Sequence, residues 1–591
     1  MTAENAHAFD EAIAFFDRPR YEVVPTGEVF DGAERLGDLM QENVTAFPDF
    51  RFEYDELMHA DDAIVVEGTF TGTHLGTWRG LPATGRRVAF PMAIVFPFDG
   101  ERMLGERLYF DLGTALRQLG VARDPSTMAG KVTTLVNHPV TIGRALWRGV
   151  SAASRTLPPG SMGLPIIGET PAFLQSPFRF LEERRRRYGD VFRSNVLFRK
   201  VVFLSGIEGA EAFYDEDAIT RTDAHPFPLV DLFGGDNMEM MDGAPHHKLK
   251  TATLAAFDDE AFARYVAEVQ APIDRTLERI AAAPGRPVIK QLQRLAIECI
   301  WTNVLGPPGR EADAIARDYA AIVTGLTSLP VAVPGTPYGR ARAARDRLLA
   351  RIGASISDRR AAPTDDGLSR MLAADPTMTD HEAQLEVHHF VIAGFIVYLL
   401  MGEVVRRLAE KPGLLERCRE ELGAPRDLTL EALSDLPTCT NVVREAKRIV
   451  PLVPLAFGRA RRSFSCSGYD VPQGWTVYLA LHLNNHDERI FHDPDTFDPD
   501  RFSAQRAEDR SHPMAFIPQG AEPPTGHQCL GLNYSTLLVL SFMARLIGGY
   551  TWTLPPQDLE PDERKVPPEP RDGLRVVLRP TAAGAEVPRG G

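Results

Sequence analysis

Residues 516–531 read FIPQGAEPPTGHQCLG, and Cys529 sits there between glycines, just ahead of a long apolar segment. Only five cysteines occur in the 591 residues. A structural cysteine has no need of glycine on both sides, whereas a thiolate approached by a large flat cofactor does. Gly520, Gly526 and Gly531 let the backbone come close to such a group and adopt positive φ where a turn requires it. The segment LNYSTLLVLSFMARLI (532–547) reads as a helix, and its N-terminal N–H groups and dipole would stabilise a thiolate. A buried cysteine in a glycine-rich turn is the alternative that this stretch alone leaves open.

Composition sets the frame. A net charge of −15 and 44% hydrophobic residues describe a globular chain, and its length suggests more than one domain. The acidic balance argues against non-specific nucleic-acid binding. Cys299, Cys418, Cys439, Cys466 and Cys529 are odd in number and lack paired metal-type spacing, which predicts a reduced, intracellular protein. The opening MTAENAHAFDEAIAFFD is acidic and amphipathic, unlike a signal peptide. The longest apolar run, Phe390 to Met401, is too short to span a bilayer and reads as a buried core helix. A cytoplasmic protein without a membrane span is therefore expected.

Two domains follow from the pattern. In residues 1–120 a helical start precedes RFEYDELMHADDAIVVEGTFTGTH and RRVAFPMAIVFPFDGERMLGERLYFD. Both are strand pairs with period-2 alternation, broken at Asp61-Asp62 and Asp99-Gly100, so an α+β domain with a curved sheet wrapped around its helices is predicted. Residues 157–580 are mainly helical, entered through the proline-rich LPPGSMGLPIIG. Between them, 121–156 reads as a packed linker or a membrane-surface helix carrying Lys131, Arg144, Arg148 and Arg155, and 581–591 as a disordered tail.

A thiolate on heme iron donates electron density that favours O–O cleavage. The cysteine loop resembles that of the cytochrome P450 superfamily, and the resemblance runs over 157–580. NVVREAKRIVP carries Glu445 and Arg448 at the family's ExxR spacing, and FDPDRF supplies Arg501 for its buried charge cluster. DGAPHHKLKTATLAAF is similar to the family's heme-contacting helix. The resemblance implies heme b with Cys529 as axial ligand, and His246, Lys250, Arg459 and His527 as propionate partners. It also implies that Phe516, Gly531, Ala393 and Gly394 lie against the cofactor. No flavin or nicotinamide fingerprint follows, so electrons would come from a separate ferredoxin and reductase, unless hydrogen peroxide serves as oxidant.

One departure stands out. The family's AGxDT or AGxET is AGFIV here, with Ile396 at the acid and Val397 at the alcohol position, and neither side chain passes a proton. A monooxygenase in which substrate or water replaces the relay is the first reading. A peroxide-using peroxygenase and a non-oxygenating isomerase or dehydratase are the others. The loop length is similar to that of the fatty-acid peroxygenases, yet their Arg-Pro pair is absent. HPFPLVDLFGGDNMEMM (225–241) and Val453 to Phe457 would cover a hydrophobic substrate.

Residues 1–120 resemble the SnoaL-like polyketide cyclases, within the cone-shaped fold of nuclear transport factor relatives. The stretches GTFTGTHLGTWRGLPATGRRVAF and GERLYFDLGTALRQLG carry the likeness. It implies Asp111 as general acid/base inside the cone, while an N-cap for GTALRQL is the alternative role. Glu106 is a weaker candidate, and His74, in a turn, is expected at the surface. The domain would cyclise or hold a polyketide-like intermediate, or mediate a homodimer.

Overall fold

The computed structural model describes residues 2–16, 19–100, 102–121, 157–164, 167–423, 428–450, 452–521, 526–563, 565 and 567–581. The chain divides into two compact units, 1–153 and 154–591. The expected linker past Val121 and the expected tail past Thr581 lie outside the described residues.

In the first unit, β1 (Arg20–Val23), β2 (Glu28–Asp31), β3 (Arg51–His59), β4 (Ala63–Thr73), β5 (Arg87–Asp99) and β7 (Glu106–Phe110) form one sheet. Their order is β2-β1-β7-β5-β4-β3, with β6 (Arg102–Met103) paired to β5. Only β1 and β7 run parallel. The turns fall at Asp61-Asp62 and after Asp99, as the alternation predicts. The strands β1 and β2 were not anticipated: RYEV and EVFD are too short to show a period, and β1 gains its second partner only when distant β7 arrives.

The helix Ala33–Ala46 points Leu36, Leu39 and Met40 at the sheet, at helical spacing. On β5, Val88, Phe90 and Ile94 alternate inward. The curvature needed to wrap these layers is helped by a bulge in β3 between Tyr54 and Glu56. Gly68 of β4 lies under that bulge, where a Cβ would stand 2.2 Å from the Glu53 carbonyl oxygen.

The second unit is a helical body with a six-stranded mixed sheet at one part of the chain's course. Its main core joins the helices Asp259–Ala281, Ile289–Leu305, Pro337–Ala361, Tyr398–Glu410, Pro437–Ile449 and Gly531–Gly549. The helical run 380–410 and the helix Gly531–Gly549 are long and apolar enough to cross a membrane, but the apolar 18-residue stretch of each is 78% and 61% buried within the fold. Both are core helices here.

The predicted core helix over 390–401 is interrupted. Helix Asp380–Phe395 stops, Ile396 and Val397 form a tight turn, and Tyr398–Glu410 resumes. Gly394 and, one residue further on, the β-branched pair Ile396 and Val397 give weak helical propensity at that point. Packing demands the glycine, since a Cβ there would lie 2.7 Å from Cγ1 of Ile300.

Replacing Gly68 with alanine is expected to destabilise the first domain by about 1–3 kcal/mol, as overpacking of a tight site does. Hydrogen exchange of the β3 and β4 amides in the full chain measures this; unchanged protection would show that the bulge accommodates a methyl group.

Candidate functional site

The helix Pro437–Ile449 buries Glu445 and Arg448, and both are fully inaccessible. The Arg448 guanidinium donates to both carboxylate oxygens of Glu445 at 2.8 Å and to the Asn485 carbonyl at 2.7 Å. Arg501, equally buried, donates to Glu445 Oε1 at 3.0 Å, to Glu508 Oε2 at 2.7 Å and to the His492 and Thr496 carbonyls. Two positive and two negative groups thus balance, and the carbonyls take up the remaining N–H bonds. Such a bidentate network offsets the cost of removing charge from water.

Lys447 of that helix reaches the segment just past Cys529. Cys529 N–H donates to the Gln519 carbonyl at 3.2 Å, and Gln519 Nε2 stands 3.7 Å from the sulfur. The helix Gly531–Gly549 begins two residues after the cysteine. Burial pushes the Cys529 thiol up, while the Gly531 N–H and the charges of Lys447 and Lys250 pull the other way. Lys447, which sequence reasoning missed, is buried between Glu445 and Arg448 in sequence and donates to the Leu532 carbonyl and Thr536 Oγ1, both at 2.7 Å. Burial pulls its pKa down to about 7, and the nearby thiolate opposes that shift. No periodicity marks Lys447, because its depth depends on the partner helix.

Basic groups gather at the same loop. Lys250 Nζ donates to the Gln528 carbonyl at 2.5 Å, and the His246 ring stacks on His527 at 4.1 Å. Burial, with the charges of His527 and Lys250, lowers the His246 pKa to about 4. Arg459 does not join them: its half-exposed side chain turns to Asp223 at 3.6 Å and to the Gly474 carbonyl at 3.3 Å. Phe516 packs edge-on against Phe502 at 5.0 Å. On the core helix, Ala393 is exposed among buried neighbours. A thiol, crowded basic groups and an exposed alanine on the core helix suit an anionic, planar iron porphyrin.

At the helix interruption the Val397 N–H bonds to the Gly394 carbonyl at 3.2 Å, three residues back. Leu399 and Leu400 likewise bond to Ile396 and Val397. The Ala393 carbonyl is thereby released from the ladder that a continuous helix would give it. Val397 itself is buried at 3% exposure in the main core, and Ile396 packs against the same core. His389 is one turn before Ala393, with its Nδ1 3.7 Å from the buried Glu386 carboxylate. Glu386 also accepts the Met238 N–H at 2.7 Å. Met238 and Met240 of the expected substrate cover are core residues, at 3% and 7% exposure.

The first domain corrects two expectations. Asp111 is not inside the cone: its side chain is 60% exposed and accepts from Thr114 at 2.5 Å and Arg117 at 3.3 Å. The Thr114 hydrogen bond lowers its pKa, opposite to what a neutral-pH proton shuttle needs. His74 is not at the surface: it is fully buried, stacked on Phe47 at 5.0 Å with Nδ1 3.1 Å from Thr84 Oγ1. The turn after β4 folds back and covers it. Glu106, by contrast, faces a cavity of about 150 Å³ and is 5% exposed.

With this geometry in place, comparison with known proteins is direct. Residues 158–572 match the family model for cytochrome P450, and residues 2–119 match that for SnoaL-like polyketide cyclase. The chain belongs to the cytochrome P450 family, as an N-terminal SnoaL-like domain joined to a P450 domain. Putative cytochrome P450 120 of Synechocystis sp. is 27% identical over 436 residues, 72% of this chain and 97% of its own length. Abscisic acid 8'-hydroxylase 2 of Oryza sativa subsp. indica is 25% identical over 71% of this chain and 86% of its own. The structure of retinoic acid-bound cyanobacterial CYP120A1 is similar with a TM-score of 0.67 at 27% identity, over 73% of this chain and 100% of that one. The protein is a heme b enzyme of monooxygenase type.

Glu445→Gln leaves two buried guanidinium groups with one carboxylate fewer, and a loss of about 3–5 kcal/mol is expected in urea unfolding. A change below 1 kcal/mol (about the value of an exposed pair) would place the network at the surface energetically. Lys250→Ala is expected to speed heme transfer to excess apomyoglobin about tenfold, the worth of one charge-assisted bond. An unchanged rate would remove Lys250 from cofactor binding.

Proposed function

We propose that the P450 domain oxygenates an apolar, polyketide-like intermediate with dioxygen, and that the first domain cyclises or holds that intermediate. Heme b, held through Cys529, supplies the oxidising chemistry. His246, Lys250 and His527 fix the orientation of the cofactor from one side by charge-assisted contacts. Ile396, partly exposed, offers an apolar side chain toward the reacting face, and Val397 is packed in the core behind it.

The observation that carries the dioxygen reading is the released Ala393 carbonyl beside two aliphatic side chains. A water held on that carbonyl can accept and pass a proton where the family's acid and alcohol would stand. His389, one turn before Ala393, and Glu386, two turns before it and 3.7 Å from the His389 ring, are the titratable groups next along the helix that could carry a proton onward. The substrate class rests on the SnoaL-like domain, together with a relative named for abscisic acid and a similar structure bound to retinoic acid, both carboxylic acids on hydrocarbon skeletons.

A second reading keeps the same residues and uses hydrogen peroxide, which needs no relay. The aliphatic pair Ile396 and Val397 favours it. Product formation from candidate hydrophobic polyketides separates the two. Turnover is expected only with ferredoxin, reductase and nicotinamide, and His389→Ala should lower product per electron consumed several-fold, roughly 1 kcal/mol of lost proton positioning. Turnover with peroxide alone, insensitive to His389→Ala, would replace the dioxygen reading with the peroxygenase one. Turnover needing neither oxidant would overturn both.

A further inference from the structure

Glu239 is an acid that the oxygenation chemistry leaves unused. It stands in the short turn Met238–Met240, between two methionines that pack into the core. The Met238 N–H bonds to Glu386, so the turn is pinned to the helix Asp380–Phe395, two turns ahead of Ala393. The Glu239 side chain goes the other way and is 42% accessible. Burial is nevertheless the largest single influence on its carboxyl group. Accessible surface on a group removed from bulk water means an internal recess. The recess is that of Cys529 and His246, because the Glu239 charge acts on both.

Imidazoles are the only cations that act strongly on this carboxylate. His225 is 2% exposed, neither of its ring nitrogens has a hydrogen-bond partner among the described residues, and Nε2 lies 3.7 Å from Glu239 Oε1. That distance is too long for a full hydrogen bond. Burial favours the neutral acid, but His225, His389 and His527 outweigh it and hold the Glu239 carboxyl down to about 2. The group is an anion throughout the neutral range. The residues alongside are apolar: His225 packs on Phe457 at 5.3 Å and His389 on Phe233 at 6.1 Å. The helix carries no charged side chain between His389 and Glu403.

A histidine compensates an anion only while it is protonated, which near neutral pH is part of the time. Heme propionates, on the reading above, claim His246, Lys250 and His527. A permanent anion then keeps an intermittent counter-charge in apolar surroundings, which is costly unless a cation joins it. Phenylalanine faces attract a cation as well. We propose that Glu239 is the substrate-recognising acid of the P450 domain, receiving a cationic nitrogen (a protonated amine or a quaternary ammonium) on an otherwise hydrophobic substrate and turning carboxylates away. The proposal deepens the oxygenation reading, on which it rests for placing the substrate in this recess.

The test follows the Soret band of the heme-loaded, full-length protein during titration with three ligands that share a 4-phenylbutyl tail. One ends in trimethylammonium, one in a methyl ketone and one in a carboxylate. A quaternary nitrogen has no lone pair for iron, so its spectral response reports occupancy of the recess. The ammonium is expected to bind about tenfold tighter than the carboxylate, the effect of one partly screened charge pair. Glu239→Gln should weaken the ammonium about tenfold, tighten the carboxylate and leave the ketone within about twofold. Glu239→Asp, which keeps the charge, should retain the preference for ammonium. Tighter binding of the carboxylate than of the ammonium to the unaltered protein overturns the proposal without any variant. An equal loss for all three ligands in Glu239→Gln overturns it too, by making the residue a structural one. Absence of turnover with every oxidant would instead strike the oxygenation reading and leave these affinities untouched.

Discussion

Glu445 is the residue on which the P450 domain hangs. Its carboxylate holds Arg448 within one helix and Arg501 from the segment that leads to the cysteine, and it accepts the Asp498 N–H at 2.8 Å besides. A charge buried this deeply is tolerable only when every partner is in place. The network therefore admits one path for the chain between 485 and 508, and that path delivers the loop ending in Cys529. Lys447, two residues along the same helix, then ties the start of the helix Gly531–Gly549 through the Leu532 carbonyl. One helix thus presents its charged face to the path before the cysteine and its lysine to the helix after it.

Much of this was legible because it is carried by order along the chain. Glu445, Arg448, Arg501 and Cys529 are fixed by motifs that occur in one sequence, and His246 and Lys250 lie one turn apart on a single helix. Strands β3 to β5 were legible through alternation. What could not be read depends on contacts between distant segments. The burial of His74 requires the turn at 74–85 to fold back onto Phe47, and the depth of Lys447 requires a helix eighty-odd positions later, as its bond to Leu532 shows. The turned-away side chain of Arg459 reflects Asp223, on another segment of the sheet region.

Asp111 is a different kind of error, because the sequence held the answer. In ERLYFD the apolar Leu108 and Phe110 set the inward parity of β7, which places Glu106 inward and Asp111 outward with Arg107 and Tyr109. A one-residue change of parity moves a carboxyl from an apolar recess to water and reverses the direction of its pKa shift. Glu106 is raised by burial, and Asp111 is lowered by its hydrogen bond to Thr114. Face parity, and not proximity to a motif, determines which acid is able to keep its proton.

The same distinction between backbone and side chain governs the core helix. The acid and alcohol positions are Ile396 and Val397, and the helix is interrupted there. It is interrupted because Gly394 is held against Ile300, where no Cβ fits, and because the following N–H groups find carbonyls three residues back. Those are properties of Gly394 and of the packing behind it, independent of the two side chains that follow. Loss of the polar pair removes donors from the site but leaves the released Ala393 carbonyl as an acceptor. An acceptor without a side-chain donor leaves the proton carrier to a group that donates to a carbonyl and still accepts, which a water or a substrate hydroxyl equally does.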